Sequence, residues 1–147
     1  MNPSLIYLTQ TDTTVGFLSQ DDKKLSGAKQ RDTNQKVLQV VNSFNTLKQF
    51  VRVPKKHRKF IRNSKTTTII YPNKLAFRVV DKNSLHQRFI NKFSRMYSTS
   101  ANKTKNKFDE HYAILNSDIV VYTRNNFAET QASSIYKINR DKIKKIR

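Results

Sequence analysis

Hydroxyl and amide side chains gather at two places in this chain with a spacing that lets them act together. Ser98-Thr99-Ser100-Ala101-Asn102 ends an apolar stretch and opens a lysine-rich one, and Thr11-Asp12-Thr13-Thr14-Val15-Gly16 echoes it near the N-terminus. Alternate side chains of extended backbone point the same way, so Ser98, Ser100 and Asn102 line one face, as do Thr11 and Thr13. Such groups donate and accept hydrogen bonds without fixed charge, which suits a sugar, a base edge or an amino acid. A third cluster, Lys29-Gln30-Arg31, aims two cations one way and suits a phosphate chain, with arginine able to bind in bidentate fashion. Each cluster alone also has an ordinary reading. Thr11 to Thr14 fits a turn or helix cap, Ser98 to Asn102 a strand end with an Asn turn, and a Lys-x-Arg is expected by chance in a chain with 29 basic residues.

For the clusters to meet, a sheet must carry them. Residues 4–9 read as a short buried strand, 19–34 as a polar loop, and 37–41 as a second strand. Asn42-Ser43 can cap a helix bearing Phe44, Leu47 and Phe50 or Val51, and Pro54 can open a short helix through Phe60 and Ile61. A hairpin follows, 66–71 returning as 75–80 around Pro72-Asn73-Lys74, with Leu75, Phe77 and Val79 on one face. Asp81 or Asn83 is expected to cap a helix that buries Leu85, Phe89 and Phe93, after which Met96 and Tyr97 lead into the serine cluster as a strand end. A helix over 108–115 and strands over 118–122, 133–139 and 142–146 complete the chain. Interleaved strands and helices predict an α/β (α+β) class around a twisted mixed sheet.

Charge narrows the partners. Lys and Arg number 29 against 10 Asp and Glu, a net charge of +19 that attracts polyanions: RNA, DNA or anionic membrane. No apolar run approaches the roughly 20 residues that span a bilayer, and no signal-peptide pattern is present, so no membrane association and a cytoplasmic location are expected. With no cysteine, disulfides, thiol catalysis and Cys-type zinc sites are excluded together. His57, His86 and His111 lack paired spacing, so no metal site is expected and each is placed at the surface. At 147 residues the chain fits one domain, 1–147, able to bury roughly 70% of its unfolded surface.

Thr11 to Gly16, Lys29-x-Arg31, Arg78-Val79-Val80-Asp81, Ser98 to Asn102 and Ser133-Ser134-Ile135, in this order, resemble the motifs of the YrdC/YciO family, from Leu5 to about Ile138. The resemblance implies a YrdC-like twisted sheet flanked by helices with a basic concave surface. It also implies the activity of an L-threonylcarbamoyladenylate synthase, a nucleotidyltransferase that makes threonylcarbamoyl-AMP from L-threonine, bicarbonate and ATP with Mg²⁺. The product feeds tRNA threonylcarbamoyladenosine, so tRNA and tRNA-modification proteins are implied partners; other members bind double-stranded RNA. By the same resemblance, Thr11 and Thr13 hold threonine, Lys29 and Arg31 face the ATP phosphates as catalytic cations, and Ser98, Ser100, Asn102, Arg78 and Ser133 surround the nucleotide. Nucleotidyl transfer rests on positioning and phosphate-charge stabilisation, which fits a site without an essential Cys or His. The alternative is a non-catalytic module that keeps the fold and binds double-stranded RNA or tRNA. Val15 stands where the family usually has tyrosine, which predicts the loss of an aromatic wall.

Overall fold

β-Branched and aromatic segments pair into one mixed sheet in the computed structural model, which describes residues 1–30, 32, 35–104 and 106–147. The strands are β1 (Tyr7–Gln10), β2 (Val15–Ser19), β3 (Leu38–Val41), β4 (Thr67–Ile70), β5 (Ala76–Val79), β6 (Arg95–Ser100), β7 (Ile119–Val121), β8 (Ser134–Ile138) and β9 (Ile143–Lys145). They lie in the order β7-β1-β2-β6-β3-β5-β4-β8-β9. Pairs β1/β7, β3/β5 and β4/β8 are parallel and the others antiparallel. The helices are α1 (Asp22–Ala28), α2 (Phe44–Phe50), α3 (Arg58–Asn63), α4 (Leu85–Ile90) and α5 (Glu110–Leu115), with a 3-10 turn at Lys55–His57. Among the described residues no helix is long and apolar enough to cross a membrane.

The helices divide unequally between the two faces of the sheet. On one face, Leu47 and Ile61 of α2 and α3 pack on Val41, Ile69 and Phe77. Beside them, Leu25 and Ala113 of α1 and α5 pack on Leu8, Val15 and Phe17. Among the described residues the other face receives only α4, whose Phe89 and Ile90 cover Tyr7, Leu18, Val40 and Met96 at one end of the strands. The opposite end of that face is left open. This asymmetry leaves room for the site.

Several expectations are met in outline. The hairpin forms with Ile69 opposite Phe77, and Ser43 caps α2 through the Thr46 amide. Others are corrected. Residues 19–34 are not all loop: Asp21 accepts from the Lys23 and Lys24 amides, and the helix it starts buries Leu25 completely. One buried leucine in a polar stretch leaves no periodic signal, although its burial is worth about 1.5–3 kcal/mol. Val15–Ser19, where the sequence places Val15 and Gly16 in a polar motif and Ser19 in a loop, is a fully buried strand. Ser84, rather than Asp81 or Asn83, caps α4, which exposes Leu85, buries His86, Phe89 and Ile90, and ends before Phe93, a half-buried residue. His57 is buried as well, with Nε2 donating to the Asn139 carbonyl at 3.1 Å; only His111 lies at the surface as expected.

Candidate functional site

The uncovered end of the face holds a cavity of about 400 Å³. Its wall follows from strand register. Gly16 of β2 lies opposite Ser100 of β6, Ser98 opposite Leu38 of β3, and Val40 opposite Arg78 of β5. Because β side chains alternate, each of these positions projects to the same face. Thr68 on β4 and Ser133 just before β8 continue the row across the sheet. Residues far apart in sequence thus form one polar floor.

Arg78 is the centre of that floor and is 6% exposed. Its Nε and Nη2 donate to Thr68 Oγ1 at 3.3 and 3.1 Å, Nη2 also to Ser133 Oγ at 2.9 Å, and Nη1 to Thr13 Oγ1 at 3.0 Å. All these partners are neutral hydroxyls, and among the described lining residues none is acidic. Burial pulls the guanidinium down to about 10, opposed by the charge of Asp12 and reinforced by Arg147. It therefore stays protonated at neutral pH, a buried cation whose charge is not neutralised by a contacting carboxylate. Thr68 Oγ1 and Ser133 Oγ lie 3.2 Å apart and share one hydrogen bond, which leaves one proton of that pair free to turn toward a ligand. Such a floor selects an anion.

The Thr11–Thr14 loop is held in place by its own side chains. Thr11 Oγ1 donates to the Thr14 carbonyl at 2.6 Å and accepts from the Thr13 and Thr14 amides at 3.3 Å, which leaves Thr13 to meet Arg78. Asp12 turns away from the cavity. Its Oδ2 accepts from the Asp81 amide at 3.2 Å, and its Oδ1 lies 3.4 Å from His86 Nδ1, with the two side chains 4% and 1% exposed. Gln10 clamps a later segment by exchanging hydrogen bonds of 3.0 and 3.1 Å with the Ala128 backbone, and Thr130 donates to the Thr13 carbonyl. That segment delivers Ser133 to the floor.

No family model matches the chain, and no curated protein matches it in sequence. Solved structures do. P. abyssi Sua5 complexed with L-threonine is 13% identical with a TM-score of 0.74, covering 97% of this chain and 50% of Sua5. E. coli YciO is 11% identical with a TM-score of 0.72, covering 98% of this chain and 82% of YciO. The fold is YrdC-like. Full-length HypF in its phosphate- and nucleotide-bound form is also similar, at 13% identity and a TM-score of 0.71, over 97% of this chain and 26% of HypF. The chain spans half the length of Sua5, and at these identities the likeness is one of fold.

Within the YrdC-like sheet, Thr11, Thr13, Arg78, Ser98, Ser100 and Ser133 converge on the cavity. Lys29 and Asn102 are not among the lining residues. Lys29 Nζ donates to Ser100 Oγ at 3.2 Å, Asn102 Oδ1 at 2.8 Å and the Asn102 carbonyl at 2.5 Å, so it fixes the end of β6. Asn102 leaves the strand alternation because β6 ends at Ser100. Arg31 lies outside the described residues. Val15 is no part of the wall, since it points into the core on the opposite face, and its size has no bearing on the cavity. Lys36 and Arg147 line the cavity without having been singled out by sequence. Arg147 Nη2 reaches Ser133 Oγ at 3.3 Å, sharing that oxygen with Arg78. In a chain with 29 basic residues neither stands out by type.

Gly16 is required for a steric reason. A Cβ there would come within 2.9 Å of Thr11 Cγ2 and 3.2 Å of the Thr99 carbonyl. Gly16→Ala is expected to displace the Thr11 side chain and cost about 1–3 kcal/mol, as overpacking does, visible as a lower midpoint in urea.

Proposed function

We propose that the cavity is the site of an L-threonylcarbamoyladenylate synthase, which forms threonylcarbamoyl-AMP from L-threonine, bicarbonate and ATP for tRNA threonylcarbamoyladenosine. The observation that carries this reading is Arg78, a buried guanidinium held by three hydroxyls and open to an anion. Sua5 bound to L-threonine and HypF bound to phosphate and nucleotide support the same ligand classes on this fold. Arg78, Thr13 and Ser133 suit a carboxylate. Ser98 and Ser100 suit the polar edges of a nucleotide, and Lys36 and Arg147 its phosphates. Lys29 acts by holding Ser100, and Arg31 is assigned to the phosphates. No cluster of three or more His, Cys, Asp or Glu that could hold a metal occurs among the described residues, so Mg²⁺ would enter on ATP. Nucleotidyl transfer needs no protein nucleophile: the carbamate oxygen attacks the α-phosphorus, pyrophosphate leaves, and the protein supplies orientation and positive charge.

The test is pyrophosphate release from Mg-ATP with bicarbonate, with and without L-threonine. Threonine-dependent release is expected, falling about 100-fold or more in Lys29→Ala, which frees the end of β6, and in Arg31→Ala. Absence of threonine-dependent release from the parent protein overturns the catalytic reading. Ligand binding without release would leave the non-catalytic module, an alternative favoured by the charge of +19.

A further inference from the structure

A second recess of about 750 Å³ lies away from the cavity, where the chain between α2 and α3 meets the turns that follow β4 and β8. Its construction concentrates positive charge. Val51 and Val53 are buried at 6% and 3% exposure, and the alternation of extended backbone turns Arg52 outward between them. Lys55 and Lys56 are exposed on the 3-10 turn, and Arg58 is steadied by donating from Nε to the Val53 carbonyl at 3.3 Å. Buried His57 holds the β8–β9 turn against this segment through Asn139, which brings Arg140 to the rim. An adjoining trough adds Lys48. Asp141 is the acidic residue at the recess, and among the described residues neither it nor these cations form an ion pair.

The wall contains an unsatisfied donor. Tyr71 is 1% exposed and lines the recess, and its hydroxyl has no hydrogen-bond partner among the described residues. Burial pushes the phenol well above its ordinary value, so it remains a neutral donor at neutral pH. Tyr71 lines the same recess as Arg52, Lys55, Lys56, Arg58 and Arg140, and its hydroxyl lacks an acceptor among the described residues.

We propose that this recess is a binding groove for the phosphodiester backbone of single-stranded RNA, with the cations of residues 48–58 and Arg140 on successive phosphates and Tyr71 donating to an inward-turned phosphate oxygen. A single strand can rotate a phosphate into the recess, whereas duplex geometry holds its phosphates in a fixed outward array. Contacts of this kind are electrostatic, so affinity should depend little on sequence and strongly on salt. The groove and the cavity share no lining residue, so the inference stands whether or not the cavity turns over a substrate.

Fluorescence anisotropy with a labelled single-stranded oligoribonucleotide, from about 50 to 200 mM salt, tests it. Arg52→Glu/Lys56→Glu is expected to weaken binding at least about 10-fold and to flatten the log-affinity against log-salt slope by roughly 1.4, two phosphate contacts at about 0.7 each. Lys23→Glu/Lys24→Glu, exposed on α1, makes the same change in charge elsewhere and should have less than half that effect on log affinity. Tyr71→Phe should weaken binding about fivefold without lowering the melting temperature, and Arg78→Met should leave RNA affinity unchanged. Equal loss in the α1 control, unchanged affinity in Tyr71→Phe, stronger binding of duplex, equal displacement by polyglutamate, or no binding by the parent protein would each overturn the proposal.

Discussion

Replacing Arg78 by methionine is expected to weaken anion binding in the cavity roughly 30- to 150-fold while leaving the fold at least as stable as before. The guanidinium is 6% exposed and among the described residues bonds only to the hydroxyls of Thr13, Thr68 and Ser133. Burying a charge on such partners costs desolvation that neutral hydrogen bonds do not fully return. Its lowered pKa of about 10, caused first by burial, has the same origin. A methionine of comparable reach removes that cost, and the hydroxyls it frees face a cavity that water can enter. A bound carboxylate or phosphate would lose its charge-assisted hydrogen bonds, about 2–3 kcal/mol or roughly 30- to 150-fold in affinity. Titration calorimetry with L-threonine and with ATP, beside thermal denaturation, separates the two effects. Arg78→Lys should restore little binding, because an ammonium cannot span Thr13, Thr68 and Ser133 as the planar fork does. Unchanged affinity in the methionine variant would remove Arg78 from the site.

Asp12→Ala should show the opposite balance, a large loss of stability. Asp12 ties the Thr11–Thr14 loop to the start of α4 through the Asp81 amide and the His86 ring, in a contact where both side chains are almost wholly enclosed. Removing the carboxylate breaks the hydrogen bond from the Asp81 amide and takes away the acceptor beside the buried His86 ring, whose nitrogens have no other partner among the described residues, at a cost of about 3 kcal/mol. Burial pushes the Asp12 carboxyl up, but the His86 ring, the Asp81 amide and the Ser84 hydroxyl together outweigh it and hold the pKa below its ordinary value. A carboxyl depressed in the folded state stabilises above its unfolded pKa, about 4, and loses that contribution as pH falls through the folded value. The stability gap between the parent and Asp12→Asn should therefore be full at pH 7 and shrink progressively below about pH 4. Urea denaturation across that range measures it, and a gap that stays constant down to pH 2 would show that the Asp12 charge does not contribute.

Local chemistry made a good part of the site readable. Ser98 and Ser100 could be assigned to one face because strand alternation has a period of two, and the Thr11 to Thr14 turn because its hydroxyls satisfy their own backbone. The order of the motifs pointed to a YrdC-like sheet, and the structure has that fold. The roles of Lys29 and Asn102 were less readable. Both lie beside the expected site, but their side chains bond to each other, a pairing across 73 residues that no local pattern encodes. The same limit hid the buried histidines, since polar residues that lack repeating spacing read as surface until a partner such as Asp12 or Asn139 is placed against them.

By itself, the amino-acid sequence determined the strands and helices with strong periodicity, the cap of α2, the faces of the serine and threonine clusters and the excess of positive charge. These depend on neighbours within a few residues. Tertiary structure alone decided that β6 lies between β2 and β3, that Val40 registers with Arg78, and that α4 covers only one end of its face. Register is a non-local choice, made by which apolar surfaces can be buried together, and a slip of one residue would turn Arg78 into the opposite core. The cavity floor exists because that choice leaves six strands in phase.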